Sequence, residues 1–70
     1  MPRTVVLAKE IDGARSTVLL IADRKQSLGK CRGVGNYVVI RPNRKYYRVE
    51  SMLSEYKRYK ADGYRYSHMY

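Results

Sequence analysis

The dipeptide Asp12-Gly13 constrains the fold more than any other feature of this 70-residue chain, because it separates two runs rich in Val, Ile, Leu and Thr. Asp-Gly between apolar runs is among the strongest hairpin signals, since the two-residue turn requires positive φ at both of its positions. The sequence therefore predicts an antiparallel hairpin of residues 4–11 and 14–22. Its register places Glu10 opposite Arg15 as an opposite-charge pair.

Both faces of this hairpin are apolar toward its open end. One face collects Val5, Leu7, Val18 and Leu20, and the other collects Val6, Ala8, Leu19 and Ile21. A sheet with one face in water would alternate apolar and polar residues, so each side of this hairpin needs a cover. A helix, a closed barrel or another subunit would provide it, and the exposed apolar area leads us to expect a homodimer.

Residues 23–36 are predicted to form a loop, because three glycines fall within seven of its positions. One helical turn around residues 23–28 is the alternative. A second hairpin is predicted for residues 37–41 and 46–50, joined by a four-residue turn with Pro42 at its second position. In that register one face is apolar and consists of Val38, Ile40, Tyr47 and Val49. The other face is mixed basic and aromatic.

A helix is predicted for residues 52–62, since Ser51 is a good N-cap and Gly63 suits the position after the C-cap. Its apolar stripe consists of Met52, Leu53, Tyr56 and Tyr59. The tail 64–70 alternates as a fifth strand would, or forms a mobile aromatic tail. The predicted fold is a single α+β domain over residues 1–70. It has a four- or five-stranded, mainly antiparallel sheet and one C-terminal helix.

Composition excludes several classes of protein. The chain has one Cys and one His, which rules out an internal disulfide framework and leaves a Cys/His metal site incomplete. Its longest apolar stretch is 18–22, against the ~20 residues that a membrane helix needs, and no signal peptide is recognisable. A chain this short has little room for an active-site cleft. We expect a soluble, cytoplasmic, non-enzymatic protein without a cofactor.

Charge is the strongest functional signal, because 15 Lys and Arg against 6 Asp and Glu give a formal net charge of +9. The cations concentrate on the second hairpin, interleaved with tyrosine, as Arg41, Arg44, Lys45, Tyr46 and Arg48. Such groups neutralise phosphates, and the rings stack on bases or pack on sugars. The sequence therefore predicts nucleic-acid binding with little base specificity.

Two further groups of cations are candidates for the same interface. The helix carries Lys57, Arg58 and Lys60, which would contribute only if they are coplanar with the hairpin cations. Lys30 and Arg32 lie in the glycine-rich loop. This loop lacks the residue spacing of a known phosphate-binding loop. Its backbone N–H groups can nevertheless approach a phosphate, because glycine leaves them accessible.

Three alternatives stay open at this point. The same cations would suit an acidic surface of another protein, as in a small viral or mobile-element antagonist of a host enzyme. The second alternative is a small ribonuclease toxin, in which His68 would act together with tyrosine and arginine side chains. The tail tyrosines Tyr64, Tyr66 and Tyr70 are either core residues or a stacking platform.

Overall fold

The computed structural model describes residues 3–25, 28–29 and 31–70, and within them the chain forms six strands and one helix. The elements are β1 (Thr4–Ile11), β2 (Ala14–Ala22), β3 (Arg32–Gly33), β4 (Tyr37–Ile40), β5 (Tyr46–Val49), α1 (Met52–Ala61) and β6 (Arg65–Met69). They build one sheet of order β3-β5-β4-β2-β1-β6, in which the β3–β5 pair is parallel and the neighbouring pairs among the other described strands are antiparallel. The predicted α+β class is confirmed, with six strands in place of four or five.

The first hairpin forms as the sequence predicts. Asp12 and Gly13 both have positive φ, +52° and +81°, so the turn brings β1 and β2 together with Glu10 opposite Arg15. Both faces of β2 are then partly or fully buried, with Val18 and Leu20 on the face that α1 covers. The predicted register is confirmed.

The register of the second hairpin differs from the prediction by one residue. The Arg44 N–H donates to the Arg41 carbonyl and the Arg41 N–H to the Lys45 carbonyl, so the loop has three residues with Pro42 at the second position of the turn. Arg44 adopts φ +67°, the left-handed conformation that closes three-residue hairpin loops. Arg carries no sequence signal for this conformation, so the predicted four-residue loop is wrong by one residue, whereas Pro42 does take the second position of the turn.

The one-residue shift changes which side chains share a face. Val39 pairs with Tyr47 on the side of the sheet that α1 covers, whereas Val38 pairs with Arg48 on the opposite side. The predicted separation of an apolar face from a basic one is therefore wrong. Val38 and Val39 are both completely buried, so β4 is covered on both sides.

Two strands lie outside the predicted hairpins. β3 forms within the predicted loop, where Gly33 pairs with Arg48 of β5 so closely that a Cβ on Gly33 would overlap the Arg48 carbonyl oxygen. β6 forms from the tail and pairs with β1, through a bulge between Val6 and Leu7. Residues 26 and 27 of the alternative helical turn lie outside the described residues.

The core lies between α1 and the sheet. Ser51 caps the helix, its hydroxyl accepting the Ser54 N–H at 3.2 Å, and Gly63 follows the helix end at φ +98°. The side chains of Tyr59 and of Tyr64, which follows the helix, complete the core cluster with Leu7, Val18, Leu20 and Val39.

The apolar stripe predicted for the helix needs one correction. Leu53 is 61% exposed, whereas Glu55 is only 7% exposed. The buried side of α1 is therefore Met52, Glu55, Tyr56 and Tyr59. A charged residue takes the position because it finds a hydrogen-bond partner on the sheet, which the periodicity of apolar residues does not reveal.

Candidate nucleic-acid interface

The turn between β4 and β5 presents two exposed cations of the second hairpin. Arg44 and Lys45 are exposed, and the Asn43 side-chain oxygen accepts the Lys45 N–H at 3.0 Å, which fixes the backbone of the turn. Tyr46 follows at the start of β5 and is 47% exposed, on the face opposite α1. Two cations and one ring thus lie at the tip of the hairpin.

Arg41 is exposed as well, but it is held against the helix. Its Nε donates to the Tyr59 hydroxyl at 3.1 Å, and its guanidinium carbon lies 5.8 Å from the centroid of the Tyr47 ring. The hydrogen bond to Tyr59 is the main reason that the pKa of Arg41 is raised. Arg41 therefore stays charged and keeps a defined position, while its other guanidinium N–H groups make no hydrogen bond to a described residue and remain available to a ligand.

A chain of hydrogen bonds continues from Arg41 into the protein, and we call Arg41, Tyr59, Tyr47 and Glu55 the tyrosine network. The Tyr47 hydroxyl donates to Glu55 Oε1 at 3.0 Å and lies 3.1 Å from the Tyr59 hydroxyl. Because Tyr47 has one proton and gives it to Glu55, Tyr59 donates to Tyr47 and accepts from Arg41. Every member is satisfied, so the network rigidly joins the hairpin to the helix.

The electrostatics of the network follow from this arrangement. Burial, followed by the hydrogen bonds to Tyr59 and Glu55, raises the pKa of Tyr47 far above its ordinary range. The negative charge of the network is confined to Glu55, which is nearly buried and lies 3.8 Å from Arg58. Its carboxylate therefore offsets part of the charge of Arg58 and leaves the hairpin cations Arg44 and Lys45 without an acidic partner among the described residues.

All three predicted helix cations are exposed, and they lie on different sides of α1. Arg58 contacts Glu55, so it lies on the side next to β5 and the hairpin. Lys60 lies 5.9 Å from the centroid of the Tyr56 ring, on the other flank. Lys57 lies between them on the outer side of the helix. The tyrosine network thus brings the hairpin cations and Arg58 onto one side of the molecule, whereas Lys57 lies at the border of that side and Lys60 faces away from it.

The loop cations have different outcomes. Arg32 is exposed on β3, where it pairs with Tyr47 at the edge of the sheet, next to the hairpin strand that begins at Tyr46. Lys30 lies outside the described residues. Arg32 therefore extends the cationic side of the molecule along the sheet edge.

Arg48 requires a correction, because it is 6% exposed and points away from the helix side. Its Nη2 donates to Asp23 at 2.9 Å and to the Gly29 carbonyl at 2.8 Å, and Nη1 lies 3.5 Å from the Gly35 carbonyl. A guanidinium with these partners anchors the loop 23–36 on the sheet. We therefore leave Arg48 out of the interface.

The tail tyrosines divide between core and surface. Tyr64 is 6% exposed and its ring packs edge-on against Tyr59, with centroids 5.6 Å apart. Tyr66 is 54% exposed and pairs with Leu7 on the helix side of the sheet. Tyr70 is 75% exposed and lies edge-on to His68, whose Nδ1 is 3.0 Å from the Ser67 hydroxyl. They do not form one stacking platform.

Sequence reasoning missed the roles of Glu55 and Asp23, the two buried acidic residues. A signal for Glu55 exists in its spacing, since Met52, Glu55, Tyr56 and Tyr59 follow the i, i+3, i+4, i+7 pattern of one helix side. Asp23 has no such signal, because its partner Arg48 lies 25 residues later in the chain. Only the three-dimensional structure shows that Asp23 and Arg48 are partners.

Comparison with protein-family models, curated proteins and solved structures finds no match for this chain. Among the described residues, no helix has the length and apolar character to cross a membrane.

Proposed function

We propose that this protein binds nucleic acid through its phosphate backbone, without enzymatic activity and with little base specificity. The basic surface that carries this role consists of Arg41, Arg44, Lys45, Lys57 and Arg58, with Arg32 and Tyr46 at its border. Lys60 is not part of it, because it lies on the opposite flank of α1. Cations of this kind displace the counterions condensed on phosphates, and that release drives sequence-independent binding.

The tyrosine network is the observation that carries the proposal. It holds Arg41 of the hairpin on Tyr59 of the helix at 3.1 Å, so cations from two separate segments belong to one rigid body. Cations that are already positioned lose less conformational freedom on binding than those on independent flexible segments. The formal net charge of +9 adds a long-range attraction toward polyanions.

Low base specificity is proposed because side chains that read bases are scarce. Asn and Gln are the usual bidentate readers of adenine, and the chain has only Gln26, Asn36 and Asn43. The side-chain oxygen of Asn43 is already used by the Lys45 N–H. Arginines on the surface also read guanine in a groove, but an Arg that contacts phosphates gains no information about the sequence.

The test compares two variants that remove the same charge. Arg44→Ala/Lys45→Ala removes two cations of the basic surface, whereas Arg24→Ala/Lys25→Ala removes two exposed cations that follow β2. Fluorescence anisotropy with labelled duplex DNA, single-stranded DNA and RNA measures the affinity. We expect the first variant to bind about tenfold more weakly to all sequences alike, and the second to change much less.

Two results would contradict the proposal. Equal losses in both variants would mean that net charge acts without a defined surface. If the unmodified protein binds none of the three ligands at ~50 mM salt, the proposal that it binds nucleic acid is wrong. An acidic protein partner would then be the better interpretation of the same cations.

A further inference from the structure

A groove of about 560 Å³ runs along the flank of α1 that faces away from the tyrosine network. Val5 and Leu20 of the sheet form its floor, Met52 and Leu53 lie at the start of the helix, and Tyr66 of β6 lies across from them. Its volume falls within the ~300–1,000 Å³ of sites that take small molecules. The six-stranded sheet is wider than one helix, which leaves this space beside α1.

Three of the nine residues that line the groove are tyrosines, and the others include four aliphatic or Met side chains. Tyr37, Tyr56 and Tyr66 all line it, and Tyr66 and the neighbouring Leu53 are 54% and 61% exposed. Tyrosine rings offer flat apolar faces, and flat aromatic ligands stack on them without regard to the substituents that distinguish one base from another. Exposed apolar side chains that are gathered at one concave site, unlike those scattered singly over a surface, are typical of a binding site.

The charged side chains around the groove are positive along the helix and negative at the end where the helix begins. Lys60 lies over Tyr56, 5.9 Å from the ring centroid, and Lys57 is one turn beyond Leu53 on the helix. Glu50 lines the other end, just before the helix begins. A phosphate backbone is therefore attracted along the lysine side and repelled from the Glu50 end, where the carboxylate can accept hydrogen bonds from base amino groups.

We propose that this groove takes unpaired bases of single-stranded nucleic acid, with the backbone held by Lys57 and Lys60. This inference rests on the proposed function and adds the class of ligand. Bases in a duplex are stacked on each other and cannot enter a groove between a helix and a sheet, whereas bases of a single strand turn outward onto aromatic side chains. A second copy of this chain also carries a formal net charge of +9, so Lys57 and Lys60 repel it, whereas they attract a polyanion.

The experiment uses the full chain and a short oligothymidine that carries one 2-aminopurine, a base whose fluorescence falls when it stacks on a ring. Tyr66→Leu removes the ring from the groove, Tyr66→Phe keeps it, and Tyr70→Leu removes an exposed ring that lies outside the groove. We expect Tyr66→Leu to weaken single-strand binding about tenfold and to restore the fluorescence. Tyr66→Phe and Tyr70→Leu should bind as the unmodified protein does, and duplex binding should stay unchanged in every variant.

The outcomes separate this inference from the proposed function. Equal single-strand affinity of Tyr66→Leu and Tyr70→Leu, or an unquenched 2-aminopurine in the bound complex, overturns the groove while leaving nucleic-acid binding intact. Absence of binding to single strand and duplex alike overturns both. A dimer in sedimentation that Tyr66→Leu dissociates would assign the groove to a second copy and overturn the inference as well.

Discussion

The ion pair between Arg48 and Asp23 offers the sharpest test of how the loop is held on the sheet. Their side chains are 5% and 4% exposed and 2.9 Å apart. Replacing Arg48 by Met leaves a buried carboxylate without its cation, and replacing Asp23 by Leu leaves a buried guanidinium with only backbone carbonyls as partners. Removing one partner of a buried pair costs about 3–5 kcal/mol.

This loss is large for a chain of this size. At ~0.05–0.15 kcal/mol per residue, a 70-residue protein is stable by roughly 4–10 kcal/mol, so each single variant should lose between about a third and all of its stability. The double variant Asp23→Leu/Arg48→Met removes both charges and should be clearly more stable than the sum of the single losses implies. The coupling should reach about 2 kcal/mol, within the range of directly contacting residues.

Urea unfolding followed by circular dichroism measures these differences. With a slope near ~1 kcal/mol per molar urea, Arg48→Met should lower the midpoint by about 3 M or leave the protein unfolded in buffer. If Arg48→Met lowers the free energy of unfolding by less than about 1 kcal/mol, and the losses of the two single variants add up in the double variant, the two side chains do not form a buried ion pair. Arg48 would then be a surface cation, as the sequence alone suggests.

Three other predictions concern the local structure. Gly35→Ala should lower the free energy of unfolding by more than about 2 kcal/mol, since the added Cβ would overlap the Val49 carbonyl oxygen. At Gly29 an added Cβ meets open space, so Gly29→Ala should lower it by about 1 kcal/mol, from the φ of +76° alone. The urea midpoints of the two variants measure the difference. The pKa of Tyr47 is raised in the folded state, so its neutral form contributes stability to the fold below pH ~10. This contribution to the free energy of unfolding is lost as the pH rises above that value. Tyrosinate absorbance should show one late-ionising residue that is missing in Tyr47→Phe. Ser51→Ala removes the N-cap hydrogen bond and should lower the free energy of unfolding by about 1 kcal/mol in the same urea assay.

Local signals account for the parts of the fold that the sequence predicts well. Asp12-Gly13 determines both the turn and the register of the first hairpin, because positive φ at two consecutive positions permits few other structures. Ser51 and Gly63 bracket the helix for similar reasons, through a capping hydroxyl and a left-handed residue. In each case one or two adjacent residues carry the whole signal.

The remaining features depend on contacts between residues far apart in the chain. The positive φ of Arg44 shortens the second turn by one residue and exchanges the faces of β5, although Arg has no preference for that conformation. Arg48 looks like a surface cation until Asp23 is placed beside it. Glu55 looks like a solvated helix residue until the Tyr47 hydroxyl reaches it.

The dependence of affinity on salt tests nucleic-acid binding by the basic surface most directly. If about six of its cations contact phosphates, the affinity for duplex DNA should fall roughly a thousandfold between ~50 and ~200 mM salt. In a plot of log affinity against log salt, Arg44→Ala/Lys45→Ala should reduce the slope by about two units, while Arg24→Ala/Lys25→Ala leaves it near that of the unmodified protein. An affinity that is independent of salt, or a slope that both variants reduce equally, would contradict binding through this surface.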